Sequence, residues 1–360
     1  MSDRKLRILA CCHRFDYSGA PLLLFRLLAA LADRHEITVL GPKGETVEPG
    51  LLKEDIAAGI QIVDTVVTGE FDLLLANTLH GAKSIAQVAG KFPTVFWIHE
   101  PKEGPRFIEK GLISTEAFAL SDAIIFPTRW QAEELYAPYL KGRTYDIVPY
   151  GIEPRSKPRA KPFELPDGAT ALLQLGWLSP RKGQHLTAAA LDYLGDPNIH
   201  VFIAGSDAVD PRFADQLKAR VSELENIASQ VHFLGVLGPD EVDAYLAHVD
   251  ALVFPTNDDL ITVSILEAMA RKTPVISSDF GPIPETVIDG ETGLLFPVGD
   301  VKAFMDCIHR VAGDGALRKR LGDAGHAMFQ KKHGFADHVS AMEAVFLRTF
   351  CEWKTAPPRN

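Results

Sequence analysis

Two acids eight positions apart, Asp259 and Glu267, carry the most specific chemistry in this sequence. They lie in the stretch from Phe254 to Asp300, which reads as a loop running into a helix, then the apolar run Thr273-Pro-Val-Ile276, then a loop rich in Pro and Gly. On one continuous helix, eight residues would set the acids about 12 Å apart along the axis and roughly 80° apart around it, so no single group could meet both. With Asp259 in the loop and Glu267 in the first helical turns, the acids flank a helix N-terminus instead. Free N–H groups and the dipole there favour phosphate. One acid then holds a sugar on one side of the phosphates and the other a ribose on the opposite side, which describes a site for a nucleotide sugar. The plainer alternative is a capping box, in which Glu267 of Ser264-x-x-Glu267 only reaches back to the Ser264 N–H.

Other residues with chemical potential follow apolar runs. Ser18-Gly19-Ala20-Pro21 lies between the first strand and its helix. Gly19 allows close backbone approach, Ser18 can cap the helix and Pro21 suits its first turn, although a plain βα turn needs no more than this. It is not the G-x-G-x-x-G of a dinucleotide site, which argues against a nicotinamide dehydrogenase. Trp97-Ile-His99-Glu100 closes one apolar strand and Asn77-Thr-Leu-His80 the one before it; a His in such a place is commonly structural. Gly176-Trp-Leu-Ser-Pro-Arg181-Lys182-Gly183 follows the first strand of the second half, where basic loop residues are commonly just solvated. No Asp-x-Asp triplet occurs, and the twelve His show no pairing at ligand spacing, so no metal site is expected.

These residues need a scaffold that delivers strand ends to a common edge. Leu6–Cys11, Ile37–Leu40, Asp72–Ala76, Thr94–Ile98 and Ala123–Phe126 read as buried strands, with an apolar helix over Ala20–Ala32 and a looser region after Leu40 to about Ile62. A connector dense in Pro and basic residues (Pro154, Pro158, Pro162, Pro166) precedes a second series at Ala171, His200, Val231, Ala251 and Pro274. Such alternation implies parallel sheets covered on both faces, with ligands beyond the carboxyl ends of the strands. No internal sequence repeat is evident. The segment from about Phe335 to Trp353 reads as one amphipathic helix.

At 360 residues, 46% hydrophobic and 9% aromatic, the chain has room for two domains with real cores. A net charge of −10 argues against nonspecific nucleic-acid binding and leaves only peripheral membrane contact open. Four cysteines in no C-x-x-C arrangement suit a reducing compartment. The apolar stretch at 20–32 is too short to span a bilayer and carries Arg26, and the first residues do not form a signal peptide, so a cytoplasmic protein is expected.

Asp259-Leu-Ile-Thr-Val-Ser-Ile-Leu-Glu267-Ala-Met-Ala aligns without a gap to the signature of the retaining family-4 glycosyltransferases (glycosyl transferases group 1), and Pro274-Val-Ile-Ser-Ser-Asp279, Ile283-Pro-Glu285 and Asp289-Gly-Glu-Thr-Gly293 also resemble the family pattern. The resemblance implies the GT-B fold: two Rossmann-like, doubly wound α/β domains facing a cleft. The first, 1–150, would bind the acceptor and be completed by a C-terminal helix over 336–360; the second, 151–335, would bind the sugar nucleotide. It further implies that His99 contacts the donor sugar, that Lys182 clamps the diphosphate, that Asp259 holds sugar hydroxyls and Glu267 the ribose. Gly19, Ala20, Gly176, Arg181, Gly205, the base-binding Gly235-Val236-Leu237, and Leu260-Ile261-Thr262-Val263-Ser264 would complete the donor site. Ser18, His80 and Glu100 become acceptor-side candidates, Glu100 as a base for the acceptor hydroxyl. The chain departs from the pattern at Trp177, where relatives carry a phosphate-binding Arg, at Asp259, where most have Glu, and at Thr262, usually Gly or Pro; Arg181 is the candidate substitute for the missing Arg. The implied reaction is sugar transfer with retention from a nucleoside diphosphate sugar, UDP first and GDP next, to a hydroxyl acceptor in glycan or surface-polysaccharide synthesis, without cofactor or metal. A glycosyl phosphorylase or synthase of the same family, and a sugar-nucleotide-binding protein without turnover, are the alternatives.

Overall fold

The computed structural model describes residues 4–15, 19–44, 60–65, 71–155, 159–260 and 263–356. Ser18, Ile261 and Thr262, three of the candidate site residues, lie outside the described residues. The chain divides into two compact units, Met1–Gly151 with Phe335–Asn360 (unit 1) and Ile152–Gly334 (unit 2).

Short apolar runs supply the strands of unit 1: β1 (Arg7–Cys11), β2 (Glu36–Leu40), β3 (Ile60–Val63), β4 (Leu73–Asn77), β5 (Thr94–Trp97), β6 (Ala123–Phe126) and β7 (Asp146–Ile147). They form one sheet in the order β3-β2-β1-β4-β5-β6-β7, and every pair is parallel. All residues of β4, β5 and β6 are buried, as expected of a parallel sheet covered on both faces. Chain order reverses at β1, which lies between β2 and β4.

The helix Phe335–Thr355 closes unit 1, burying Val339, Met342, Val345, Phe346 and Phe350. It is tied down through His35. The Leu6 N–H donates to His35 Nδ1 at 3.2 Å, which leaves the ring proton on Nε2 to donate to Glu343, 2.9 Å away. Arg34 pairs with the same carboxylate.

Unit 2 is built from β8 (Thr170–Leu175), β9 (Ile199–Ala204), β10 (Val231–Gly235), β11 (Ala251–Phe254), β12 (Val275–Ser278) and β13 (Leu294–Phe296). The order is β10-β9-β8-β11-β12-β13, again all parallel. Its chain order reverses at β8, between β9 and β11. One core of Leu, Val, Ile and Phe side chains, from Leu172 to Leu321, joins the sheet to its helices.

The long buried strands are those the sequence pattern indicates. Three of the four edge strands, β3, β7 and β13, are not, because each is too short or too exposed to print an apolar run. Ile60–Val63 leaves Gln61 and Ile62 exposed, and Asp146–Ile147 has two residues. Pairing with a neighbour, not local pattern, makes them strands.

Candidate functional site

In open α/β sheets ligands sit beyond the carboxyl ends of strands, at the point where chain order reverses. In unit 2 that point lies between the residues after β8 and those after β11. The turn after β8 carries Gly176 to Gly183, and Gly183 has φ +74. A Cβ on Gly183 would meet the Pro255 carbonyl oxygen at 2.0 Å, so only glycine lets the β8 turn pack onto the backbone after β11. A parallel constraint seats Gly205, whose Cβ would fall 2.0 Å from the Gly176 oxygen. Backbone bonds continue the row: Gly176 N–H to Ala204 O at 3.0 Å and Gly205 N–H to Gly235 O at 2.8 Å. Gly176, Gly205 and Gly235 thus line up along three adjacent strand ends, with Val236 exposed beyond them.

This packing gathers charge. Lys182 Nζ forms an ion pair with Asp259 Oδ2, and Arg181 Nη1 lies 3.3 Å from the same oxygen. Arg181 also donates to the Asp258 carbonyl at 2.7 Å. The Thr256 hydroxyl donates to the Arg181 carbonyl at 3.0 Å and lies 3.4 Å from Asp259 Oδ2. Asp259 is buried, and Lys182 Nζ stands 4.9 Å over the Phe254 ring. Burial pushes the Lys182 ammonium below its ordinary range; the Asp259 carboxylate opposes this and the Arg181 charge adds to it. Two cations therefore converge on one carboxylate in a partly desolvated place, where a second anion would meet strong electrostatics.

Three buried polar residues that the sequence reading missed hold the lysine turn. Gln174 Nε2 donates to the Lys182 carbonyl at 2.9 Å, and the Thr187 hydroxyl donates to Gln174 Oε1 at 2.7 Å. Gln184 Nε2 donates to the Trp177 carbonyl at 3.0 Å. The available signal was Gln174 itself, a lone amide in the apolar strand TALLQL.

The helix Val263–Ala270 follows, with Leu260 buried before it. Ser264 lies in the first turn of this helix and Glu267 one turn further on. Val263 and Ser264, in the first helical turn, carry N–H groups that have no partner four residues back within the helix. Trp177, in the turn after β8, is 39% exposed, and an indole makes no phosphate fork.

The remaining candidates belong to unit 1. Gly19 and Ala20 open the helix Gly19–Leu31. His99 follows β5 and is buried: Nδ1 meets the Tyr150 hydroxyl at 2.8 Å, the two rings stack at 11°, and the Trp97 ring centroid lies 4.2 Å away. Burial, with His13 and His338 adding, drives its pKa down to about 3, so the imidazole is neutral at physiological pH. Its Nε2 is buried without a hydrogen-bond partner. Tyr150 carried no weight in the sequence reading. Glu100 was expected to face an acceptor. Its carboxylate accepts the Leu79 N–H at 2.8 Å and the His99 N–H at 3.1 Å, while burial raises its pKa to about 7. His80, after β4, is exposed.

Residues 157–328 match the model of the family described as glycosyl transferases group 1. Those residues, the greater part of unit 2, are a glycosyl transferases group 1 domain. The lipopolysaccharide core biosynthesis glycosyltransferase LpsE of Rhizobium meliloti (strain 1021) is 30% identical over 168 residues, 47% of this chain and 46% of that protein. The chain therefore spans about half the length of LpsE. A glycogen synthase of Mycobacterium tuberculosis (strain CDC 1551 / Oshkosh) is 27% identical over 349 residues, 89% of this chain and 80% of that one. Among solved structures, sucrose-phosphate synthase from Thermosynechococcus elongatus superposes with a TM-score of 0.80 at 19% identity, over 96% of this chain and 100% of that one. Anabaena Alr3699/HepE in complex with UDP and glucose follows at 0.76 and 17%, over 95% and 99%. The fold is GT-B, in two parallel-sheet α/β units of seven and six strands. Among the described residues no helix is long and apolar enough to cross a membrane, and no group of three or more His, Cys, Asp or Glu is placed to hold a metal.

Proposed function

We propose that the chain is a retaining, metal-independent glycosyltransferase that moves a sugar from a nucleoside diphosphate sugar, UDP-linked first and GDP-linked next, to a hydroxyl acceptor in glycan or surface-polysaccharide synthesis. The observation that carries this reading is the convergence of Lys182 and Arg181 on Asp259 at the point where unit 2 reverses its chain order. In the absence of donor, Asp259 neutralises the two cations. With donor present, the diphosphate takes the cations, and the Asp259 carboxylate is released to accept hydrogen bonds from sugar hydroxyls. Arg181 supplies the guanidinium that Trp177 lacks. The first-turn N–H groups of Val263 and Ser264 add positive potential at the leaving phosphate.

As the bond from the anomeric carbon to the phosphate oxygen breaks, the electron pair departs with the diphosphate, the acceptor hydroxyl oxygen bonds the anomeric carbon from the same face, and its proton passes to the leaving phosphate oxygen. Stabilising that developing charge is the term that usually dominates catalysis of this kind. Glu267 takes the ribose hydroxyls. His99, uncharged, offers hydrogen bonds and does not compete with the cations for phosphate. The UDP bound by the HepE structure and the names of the sugar-transferring relatives support this donor class.

The test is a thermal-shift series with UDP, GDP, ADP and TDP, each with magnesium and with chelator. A nucleotide at about 100 times its dissociation constant should add roughly 2.7 kcal/mol of stability. A shift with UDP that magnesium does not change, followed by an α-linked product from an α-linked UDP-sugar in NMR, is the expected result. Binding of UDP without turnover on any acceptor would favour the non-catalytic reading, for which Trp177 is the motivating residue. No shift with any nucleotide would remove the proposal.

A further inference from the structure

His99 has one ring nitrogen provided for and one left over. Nδ1 lies 2.8 Å from the Tyr150 hydroxyl, while Nε2 is buried with no hydrogen-bond partner. Unpaired buried polar atoms are few in folded proteins, and each calls for an explanation. Here the residue follows β5, at the edge of the sheet where ligands of open α/β folds bind. The orphan nitrogen thus marks a ring held ready for a group from outside the fold.

The partner of Nδ1 is itself fixed. Tyr150 is buried, and the segment before it is tied on two sides. Val148 N–H donates to the Phe126 carbonyl at 2.9 Å, which continues the pairing of β7 with β6. The Pro149 carbonyl, which can only accept, takes a bond from His338 Nδ1 at 2.8 Å. His338 belongs to the helix Phe335–Thr355, so the last helix of unit 1 holds the segment that carries Tyr150. Trp97 fills the space among them, its ring centroid 4.2 Å from His99, 6.4 Å from Tyr150 and 5.8 Å from His338.

The direction of the Tyr150–His99 bond follows from the two groups. A phenol is the more acidic donor of the pair and an imidazole nitrogen the more basic acceptor, so the stronger bond runs from the hydroxyl to Nδ1. Burial, with the Glu100 charge adding, pushes the Tyr150 phenol well above its ordinary range, so it keeps its proton. Burial also keeps the imidazole neutral, with a single ring proton. While Nδ1 accepts, that proton sits on Nε2.

We propose that Tyr150 is a positioning residue for His99: its hydroxyl fixes the imidazole as the Nε2–H form and aims that N–H at an oxygen of the donor sugar. Nε2–H can only donate, so it matches an oxygen lone pair and turns away a cation. Naming the sugar as the recipient rests on the transferase reading above; the pairing and the proton's place do not.

The experiment is side-chain nitrogen NMR of the full chain labelled with ¹⁵N, the His99 signals being assigned by their absence in His99→Gln. The expected result is a protonated Nε2 and an unprotonated Nδ1 whose signal moves in Tyr150→Phe, because a ring nitrogen that accepts a hydrogen bond resonates apart from one that does not. A proton on Nδ1, or an Nδ1 signal that Tyr150→Phe leaves in place, overturns the proposal. Steady-state kinetics with UDP-glucose read the consequence. Tyr150→Phe is expected to lose roughly tenfold in kcat/KM, about the worth of one hydrogen bond, and to keep its UDP affinity in calorimetry. Unchanged kcat/KM overturns the positioning role. Should Tyr150→Phe not fold, the wild-type signals decide alone, and a proton on Nδ1 still overturns the proposal. The expected nitrogen signals in a chain that turns over no nucleotide sugar would keep the Tyr150–His99 pair and discard the transferase reading. Turnover with the proton on Nδ1 would do the reverse.

Discussion

The two units share an architecture and differ in how they use their strand ends. Unit 2 brings full charges together in a buried setting: Lys182 and Arg181 on Asp259, with Phe254 beneath the lysine. Unit 1 buries polar groups whose charge is suppressed or divided, a neutral His99 against Tyr150 and a Glu100 raised to about 7, and leaves its basic groups at the surface. The contrast follows from the chemistry each could face. A departing diphosphate needs fixed positive charge in a low-dielectric place, where electrostatics are strong. A hydroxyl-bearing partner needs orientation by hydrogen bonds, and its recognition can stay wet.

Removing charge from unit 2 should have the largest effect. Lys182→Ala is expected to cost about 10²–10³ in kcat with a UDP-sugar, the loss typical of deleting one preorganised group that stabilises developing negative charge. Steady-state kinetics check it, and a loss below tenfold would dissolve the contrast between the units. The backbone beneath that lysine comes next. Gly183→Ala puts a Cβ 2.0 Å from the Pro255 oxygen at φ +74. A left-handed conformation alone costs a non-glycine residue about 1–2 kcal/mol, so a lowered urea midpoint together with weakened UDP binding is expected. An unchanged midpoint would mean that the two turns do not need their close approach.

Glu267→Ala should weaken UDP binding by roughly tenfold or more, since a hydrogen bond to a charged group contributes about 1.5–3 kcal/mol. With Glu267 at the ribose the thermal midpoint should hold. A drop in midpoint with unchanged UDP affinity would establish the capping role instead.

The smallest effect sharpens the comparison from the side of unit 1. His99 titrates at about 3 in the folded chain against 6.5 unfolded, so its contribution is full above 6.5 and is lost as pH falls through that window. Glu100 titrates at about 7 against 4.5, so its contribution is full below 4.5 and is lost as pH rises towards 7. Between 4.5 and 6.5 the two slopes oppose each other. In Glu100→Gln only the His99 slope remains, and the urea midpoint should fall more steeply on acidification than in the wild type. Parallel pH curves for the two proteins would show that Glu100 does not carry the opposing slope.

Much of this was legible before any fold was seen. Apolar runs such as Ala123–Phe126 and Ala251–Phe254 are short, continuous and bounded by helical patterns, and that local texture is enough to specify buried parallel strands. The ungapped run from Asp259 to Ala270 pointed to the family for the same reason: it is a contiguous string. Glu100 shows where such reading stops. Sequence places it at a strand end, and only packing turns its carboxylate inward to Leu79 and His99.

What the sequence by itself determined, then, is whatever nearest neighbours along the chain encode: periodicity, turn residues, the alternation that makes two parallel sheets, and the family signature. Tertiary structure decided which distant groups meet. Arg181 reaches the loop of Asp258 and Asp259, 77 residues on, because Gly183 lets two strand ends close together. Gln174 serves the lysine turn because a buried amide must find partners. Thr78 holds its left-handed backbone because Trp97, Gly81 and Glu100 all bond to that turn. These are contacts across space, set by side-chain direction and by the satisfaction of buried polar groups, and no local pattern records them.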